Sequence, residues 1–306
     1  MITNFDEMVI AAKRPVKPKI AVAVAQDRKV LAAVKLADDI GLASSILIGD
    51  QKKIEELAKV VGLNLKRHEM INCENNRESC QKAVDLINSG QADLPMKGIV
   101  ETSVMLKAVL DKERGLRSGT LLSHVGVFVL ERFPRLLILS DSAMTILPNV
   151  EEKAVIIENA LEVALALGIN QPKITLVCAT ETVNPKMPAT VEAAELVRMN
   201  REQQRFSPGV LAGPLGLDNA ISEEAARVKG ITDPIAGQAD ILIMPNIEAG
   251  NILNKSLEYF AQAEKSGVIM GAREPIILTS RASSDLAKLQ SMALALLIQQ
   301  NQKARK

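Results

Sequence analysis

IAVAVAQDRKVLAAVKLADDIGLASSILIG, residues 20–49, is the stretch that decides the fold. Residues 20–24 form a short apolar run that predicts a buried strand, and residues 45–49 form a second one. Between them, apolar side chains recur at helical spacing from Val30 to Ile40. A strand, a helix and a second strand in this order are typical of a parallel βαβ unit.

The same alternation continues along the chain and predicts an α/β protein with a mostly parallel sheet. A polar break with Pro134 at residues 132–135 predicts a hairpin, which adds antiparallel pairing. Further strands are predicted over residues 121–130, 136–140, 174–178, 240–244 and 276–278. Further helices are predicted over residues 51–61, 76–88, 104–110, 151–168, 189–204, 221–229, 249–265 and 283–300.

Composition restricts the classes of function. The net charge of +1 argues against a strongly anionic partner such as nucleic acid or an acidic membrane surface. Only 2% of the residues are aromatic, which excludes an aromatic platform for single-stranded nucleic acid. The 3 cysteines form no CxxC pair and suit a reducing compartment. No apolar run is long enough to span a membrane and no signal peptide is evident, so we expect a cytoplasmic protein.

Several common catalytic motifs are missing from the sequence. It contains no GxxxxGK[ST] phosphate loop, no GxGxxG after a strand and no GxSxG elbow. The 2 histidines, His68 and His124, have no cysteine or carboxylate at ligand spacing, so no metal site is predicted. His124 follows Ser123 beside an apolar strand, where a hydrogen-bonded structural role is favoured over that of a catalytic base.

The stretch LTSRASSD, residues 278–285, lies where an apolar strand ends and the final helix begins. Backbone N–H groups at a helix start, hydroxyl groups and the guanidinium of Arg281 together could bind a phosphate. The alternative is purely structural: Ser283 or Ser284 caps the helix and Arg281 is a surface charge. The segment by itself leaves both interpretations open.

Three other segments place polar residues after a strand. In DILIMPNIEAGNI, residues 240–252, Gly250 and Asn251 are poor helix formers in a first helical turn, which suggests backbone close to a ligand or to another segment. Asn246 could simply cap that helix. The others are KGIVETS, residues 97–103, where Lys97 or the following Lys107 could meet an anion, and LSDSAM, residues 139–144.

The motifs together resemble one family. PNIEAGNILNK at residues 245–255, followed by TSRASSD at 279–285, is similar to the signature of the phosphate acetyl/butyryltransferases. Three further blocks resemble the same family: KG with ET at residues 97–102, SDSA with PN at 140–149, and GPLGLDNA at 213–220. The length of 306 residues and the LDNA block are closest to the phosphate butyryltransferase branch.

The resemblance implies a reversible transfer of a short-chain acyl group, butyryl or similar, between coenzyme A and inorganic phosphate. It implies no metal and no tightly bound cofactor, with acyl-CoA and phosphate as the small-molecule partners. A homo-oligomer that works with an acyl kinase is expected. The alternatives are a phosphate acetyltransferase and a non-catalytic acyl-CoA-sensing domain.

The resemblance also implies a fold of two three-layer α/β/α domains, like that of isocitrate dehydrogenase, with an active cleft between them. Residues 1–115 with 272–306 are expected to form the first domain, and residues 116–271 the second. Ser280 and Arg281 match the pair that contacts the reacting acyl phosphate in the family, and Asp285 is the nearest match to its base. The predicted substrate-binding residues are Lys97, Thr102, Lys107, Asp141, Asn246, Gly250 and Asn251.

Overall fold

A computed structural model describes residues 1–131 and 133–305, and the chain divides into two compact units. The central unit consists of Met1–Asn4 and Leu121–Lys265, and the terminal unit consists of Phe5–Thr120 and the chain from Ser266 onward. The predicted domain boundaries lie at 115/116 and 271/272, whereas the units change over at 120/121 and 265/266.

The terminal unit begins with alternating helices and strands. A short 3-10 turn, Leu65–Arg67, precedes β3. The elements are α1 Phe5–Ala11, β1 Lys19–Ala23, α2 Arg28–Asp39, β2 Ser44–Gly49, α3 Gln51–Val61, β3 Glu69–Asn72, α4 Asn76–Asn88, β4 Leu94–Lys97 and α5 Thr102–Val109.

The central unit follows with its own alternation. Its elements are β5 Ser123–Leu130, β6 Phe133–Ser140, α6 Val150–Ala166, β7 Lys173–Val177, α7 Pro188–Gln203, β8 Val210–Leu215, α8 Leu217–Ile221, α9 Glu223–Val228, β9 Ile241–Ile243 and α10 Ile247–Tyr259. The strand order is β5-β6-β9-β7-β8. β5 and β6 form an antiparallel hairpin, and the other neighbours are parallel.

The chain then returns to the terminal unit through three elements. They are β10 Glu264–Met270, β11 Ile276–Ile277 and α11 Asp285–Arg305. The strand order of this unit is β3-β2-β1-β4-β11-β10, and all neighbours are parallel except β10 and β11. The predicted α/β class with mostly parallel strands is therefore confirmed, and so is the antiparallel hairpin.

Several predicted bounds were wrong. The helix predicted over residues 249–265 ends at Tyr259, and Gln262 adopts a left-handed conformation with φ 51° before β10 starts. β10 was missed because residues 266–270 were assigned to no element, although the apolar run at the end of the strand is typical of a strand. β3 and β8 were also missed. β6 begins at Phe133, so the polar break falls partly inside a strand. Arg132, which was placed in the hairpin turn, lies outside the described residues.

The terminal unit brings the end of β4 beside the end of β11. Met96 and Ile277 are paired in parallel register, so Lys97 and the segment after Ile277 leave the sheet at the same edge. α11 follows that segment, and its residues from Lys288 to Gln299 are all buried. Among the helices of residues 1–131 and 133–305, none is both long and apolar enough to cross a membrane.

Candidate active site

The turn between β11 and α11 carries the Ser-Arg pair predicted to be catalytic. Ser280 and Arg281 are both exposed, whereas Thr279 before them is buried. The Ser280 carbonyl accepts a hydrogen bond from the Ser283 N–H at 3.1 Å, which closes the turn. Ser284 is the N-cap of α11, since its Oγ accepts from the Ala287 N–H at 3.1 Å. One serine therefore has the structural role considered for it, while the Ser-Arg pair faces solvent.

Lys288 lies beneath this turn, one helical turn into α11. Its side chain is only 3% exposed. The ammonium donates to Thr279 Oγ1 at 3.0 Å and to the Ser280 carbonyl at 3.1 Å. It therefore holds the backbone that presents Ser280 and Arg281.

Lys97, the last residue of β4, is a second buried cation of this region, also 3% exposed. Its ammonium donates to the Val100 carbonyl at 3.0 Å. The next residue, Gly98, has no room for a side chain, because a Cβ atom there would lie 2.2 Å from the Val24 carbonyl oxygen. The glycine thus serves a close approach of two chain segments.

Positive charge predominates around the Ser-Arg turn. Burial lowers the pKa of Lys97, and the charge of Arg281 lowers it further. Burial and the charge of Lys97 together lower the pKa of Lys288 to about 8. Among the described residues, none of these three cations forms an ion pair with a carboxylate. A region with two buried and one exposed cation, and no paired anion, is suited to binding an anion. We call Lys97, Arg281 and Lys288 the cation cluster.

Asp285, the predicted base, lies in the first turn of α11 and is half-buried. Its Oδ1 accepts from the Leu286 N–H at 3.0 Å. With Ser284 it lines a pocket of about 330 Å³ whose other walls include Arg28 and Lys29. The carboxylate is therefore accessible beside the Ser-Arg turn and faces basic side chains.

The other predicted substrate-binding residues of the terminal unit lie on α5. Thr102 is the first residue of this helix and is half-buried. Lys107 is exposed in its last turn. These positions are compatible with ligand contact, and the role of both residues stays a prediction.

In the central unit, Asp141 follows β6 and is buried. Its carboxylate accepts four backbone N–H groups: Oδ1 from His124 at 3.3 Å, Ala143 at 2.9 Å and Met144 at 3.1 Å, and Oδ2 from Thr145 at 3.0 Å. The peptide bond before Asp141 is cis. The carboxylate therefore organises the loop that it begins.

The start of α10 packs against this loop. A Cβ atom at Gly250 would lie 2.2 Å from the Asp141 carbonyl oxygen, so only glycine fits. Asn251 Nδ2 donates to the Ser142 carbonyl at 3.1 Å. Asn246 caps α10, since its Oδ1 accepts from the Ala249 N–H at 2.9 Å. Of the two explanations for Gly250 and Asn251, the contacts show close approach to another segment.

His124 belongs to the same cluster. Its Nδ1 lies 3.0 Å from Ser142 Oγ, which also accepts from Asn254 Nδ2 at 3.4 Å. Burial lowers the pKa of His124, against the opposing effect of Asp141. These contacts fit the hydrogen-bonded structural role that the sequence favoured. We call Asp141, Ser142, His124, Gly250 and Asn251 the loop cluster.

Sequence reasoning missed Lys288. The signal was present, because Lys288 interrupts a helix whose neighbouring residues are mostly apolar, a position where a charge is costly to bury. The pattern alone does not show what the ammonium contacts. Only the fold brings it beneath Thr279 and Ser280.

The family model described as "Phosphate acetyl/butaryl transferase" matches residues 4–85 and 73–296. The chain belongs to this family. A phosphate butyryltransferase from Clostridium acetobutylicum is 45% identical over 98% of this chain and 100% of its own length. A probable phosphate butyryltransferase from Bacillus subtilis is 50% identical over 90% of this chain and 92% of its own.

Solved structures give the same result. The crystal structure of a branched-chain phosphotransacylase from Enterococcus faecalis matches with a TM-score of 0.83 and 35% identity, covering 92% of this chain and 99% of that one. The family predicted from the sequence is confirmed. The chain is an enzyme of the phosphate acyltransferase type, with the expected α/β fold.

Proposed function

We propose that the protein transfers a short-chain acyl group, butyryl or similar, reversibly between coenzyme A and inorganic phosphate. The relatives named phosphate butyryltransferase support this choice of acyl group. The observation that carries the proposal is the exposed Ser280–Arg281 turn above the cation cluster. An acyl phosphate is an anion, and this turn offers it a hydroxyl and a guanidinium, with the positive charge of two buried ammonium groups close behind them.

In the direction of acyl-CoA synthesis, the sulfur of coenzyme A attacks the carbonyl carbon of the acyl phosphate. A C–S bond forms, and the C–O bond to the phosphoryl group breaks. Arg281 neutralises the charge that grows on the leaving phosphate, and Ser280 donates a hydrogen bond to the carbonyl oxygen as it becomes negative. Asp285 accepts the thiol proton and returns it to the departing phosphate, so that protons balance.

The cation cluster supports the proton transfer as well. A thiol with an ordinary pKa near 8.5 resists giving its proton to an ordinary carboxylate, since full transfer is uphill by roughly 6 kcal/mol. Nearby cations favour the thiolate and lower that cost. Arg281 and the two buried lysines would act in this way on a thiol that approaches the turn.

The setting of the reaction belongs to the same proposal. We take the enzyme to use acyl-CoA and phosphate as substrates without a tightly bound cofactor, in the cytoplasm, as a homo-oligomer. An acyl kinase, which exchanges a phosphoryl group between acyl phosphate and nucleotide, would be the class of enzyme that consumes its product. A coupled assay with such a kinase and ADP would detect the acyl phosphate as ATP formed.

The direct experiment mixes the protein with phosphate and butyryl-CoA, isobutyryl-CoA or acetyl-CoA, and follows the release of free thiol. We expect phosphate-dependent release with butyryl-CoA, and a kcat/KM at least about tenfold higher than with acetyl-CoA, because each methylene in an apolar pocket contributes ~1 to 3 kcal/mol. A preference for acetyl-CoA would make it a phosphate acetyltransferase. No release with any short acyl-CoA would favour a non-catalytic acyl-CoA-sensing domain.

A further inference from the structure

Lys288 is a buried cation that the reaction described above does not require as a contact to substrate. At 3% exposure it is out of reach of a ligand that approaches the Ser-Arg turn from solvent. Two of its three N–H bonds are directed to Thr279 Oγ1 and the Ser280 carbonyl. A buried ammonium that has hydrogen bonds but no carboxylate partner still costs free energy. A negative charge bound nearby would lower that cost.

The charged groups near Lys288 belong to β4 and to α2 with its N-cap, and two of the three are positive. Lys97 at the end of β4 and Lys29 on α2 both lower its pKa, and Asp27, the N-cap of α2, opposes them. Arg281 acts on Lys97 in the same way. Burial is the largest cause, and the pKa of Lys288 falls to about 8. In the absence of a bound anion, the Lys288 ammonium is thus close to losing its proton at mildly alkaline pH.

A dianion at the Ser-Arg turn reverses this balance. Negative charge within a few ångströms favours the protonated form of a nearby amine. The same coupling acts in both directions, so the protonated amine strengthens binding of the dianion by an equal free energy. The coupling requires no direct contact between Lys288 and the dianion. The ammonium already lies next to the turn, because it donates a hydrogen bond to the Ser280 carbonyl.

We propose that Lys288 is a positioning residue for phosphate, whose ammonium holds the Ser-Arg turn and gains a proton when the phosphate dianion binds. This inference rests on the proposed function for the identity of the anion. It adds that phosphate binding is linked to proton uptake, and it names the group that takes up the proton. A merely structural lysine would hold the turn without this linkage.

The test is calorimetric titration of inorganic phosphate into the full chain at pH 8.5, in two buffers that differ in ionisation enthalpy. Since a group with a pKa of about 8 is mostly neutral at that pH, we expect uptake of at least about half a proton per phosphate bound. The dissociation constant should rise about tenfold between pH 8 and pH 9.5, because the protonated fraction falls by about that factor.

Three variants identify the group. Lys288→Arg keeps its charge over this range, so it should bind phosphate without proton uptake and without the rise in dissociation constant. Lys288→Met should also lose the uptake and bind phosphate about tenfold more weakly at pH 8. The exposed Lys52→Met should behave as the unmodified protein.

The outcomes separate this inference from the proposed function. Phosphate binding without proton uptake in the unmodified protein overturns the inference, even if thiol release from butyryl-CoA is normal. Undiminished uptake in Lys288→Arg also overturns it, since another group such as Lys97 would then be titrating. Absence of thiol release with proton uptake intact contradicts the proposed function and leaves the phosphate site in place.

Discussion

The cation cluster and the loop cluster occupy equivalent places in the chain, each where polar residues follow an apolar strand. They differ in how their polar groups are satisfied. In the loop cluster, the Asp141 carboxylate accepts four backbone N–H groups, and Ser142 and Asn251 pair with groups of the same unit. In the cation cluster, two lysines are buried and no carboxylate pairs with them among the described residues.

This difference teaches how to distinguish a loop that is organised by its polar residues from a site prepared for a ligand. Polar residues after a strand are common to both. A closed set of hydrogen bonds stabilises the fold and leaves little capacity for a ligand. An excess of one charge has the opposite effect, because the missing partner has to come from outside. The substrate-binding role predicted for Asp141, Asn246, Gly250 and Asn251 stays a prediction beside their structural contacts.

The largest expected effect is on activity at the cation cluster. Arg281→Ala should lower kcat/KM for butyryl-CoA and phosphate by about 100-fold or more, as loss of a transition-state charge partner does, with little change in unfolding free energy. The exposed Arg77→Ala on α4 is the matched control and should keep full activity. A loss below tenfold would remove Arg281 from its proposed role.

The next effect is on stability at the loop cluster. Asp141→Ala leaves four backbone N–H groups without their acceptor in a buried place, so we expect the free energy of unfolding to fall by about 3 kcal/mol. Asp111→Ala is a matched control, since that carboxylate also accepts backbone N–H groups but in an exposed turn. Urea denaturation of both variants measures the difference. Equal, small losses of unfolding free energy in the two variants would mean that the burial of Asp141 does not strengthen the contribution of its hydrogen bonds to stability.

The smallest expected effect is at Gly250. Gly250→Ala would place a Cβ atom against the Asp141 carbonyl, so α10 or the loop has to shift, and the unfolding free energy should fall by about 2 kcal/mol. Ile252→Ala on the same helix, where the side chain is exposed, should change it by less than about 0.5 kcal/mol. Thermal unfolding of the two variants checks this. An unchanged melting temperature for Gly250→Ala would show that α10 and the loop accommodate the added Cβ atom without loss of stability.

Sequence reasoning was most successful where local periodicity and local contacts agree. The strand-helix-strand unit over residues 20–49 was correctly predicted, because apolar spacing determines which face of each element is buried. Ser284 and Asn246 were correctly considered as helix caps, since capping depends on only three neighbouring residues. The helix predicted over residues 249–265 was correct up to Tyr259 and wrong only at its end, because helical periodicity does not show the left-handed residue Gln262 or the strand that follows it.

The sequence by itself determined the α/β class, the family, and the position of the Ser280–Arg281 pair between a strand and a helix. These follow from residue types at short spacing. Only the tertiary structure decided that Gly250 meets Asp141 and that Lys288 lies beneath Ser280 beside Lys97. The reason is physical: hydrogen-bond partners and the pKa of a buried amine depend on residues far apart in sequence, and only the folded chain brings them into contact.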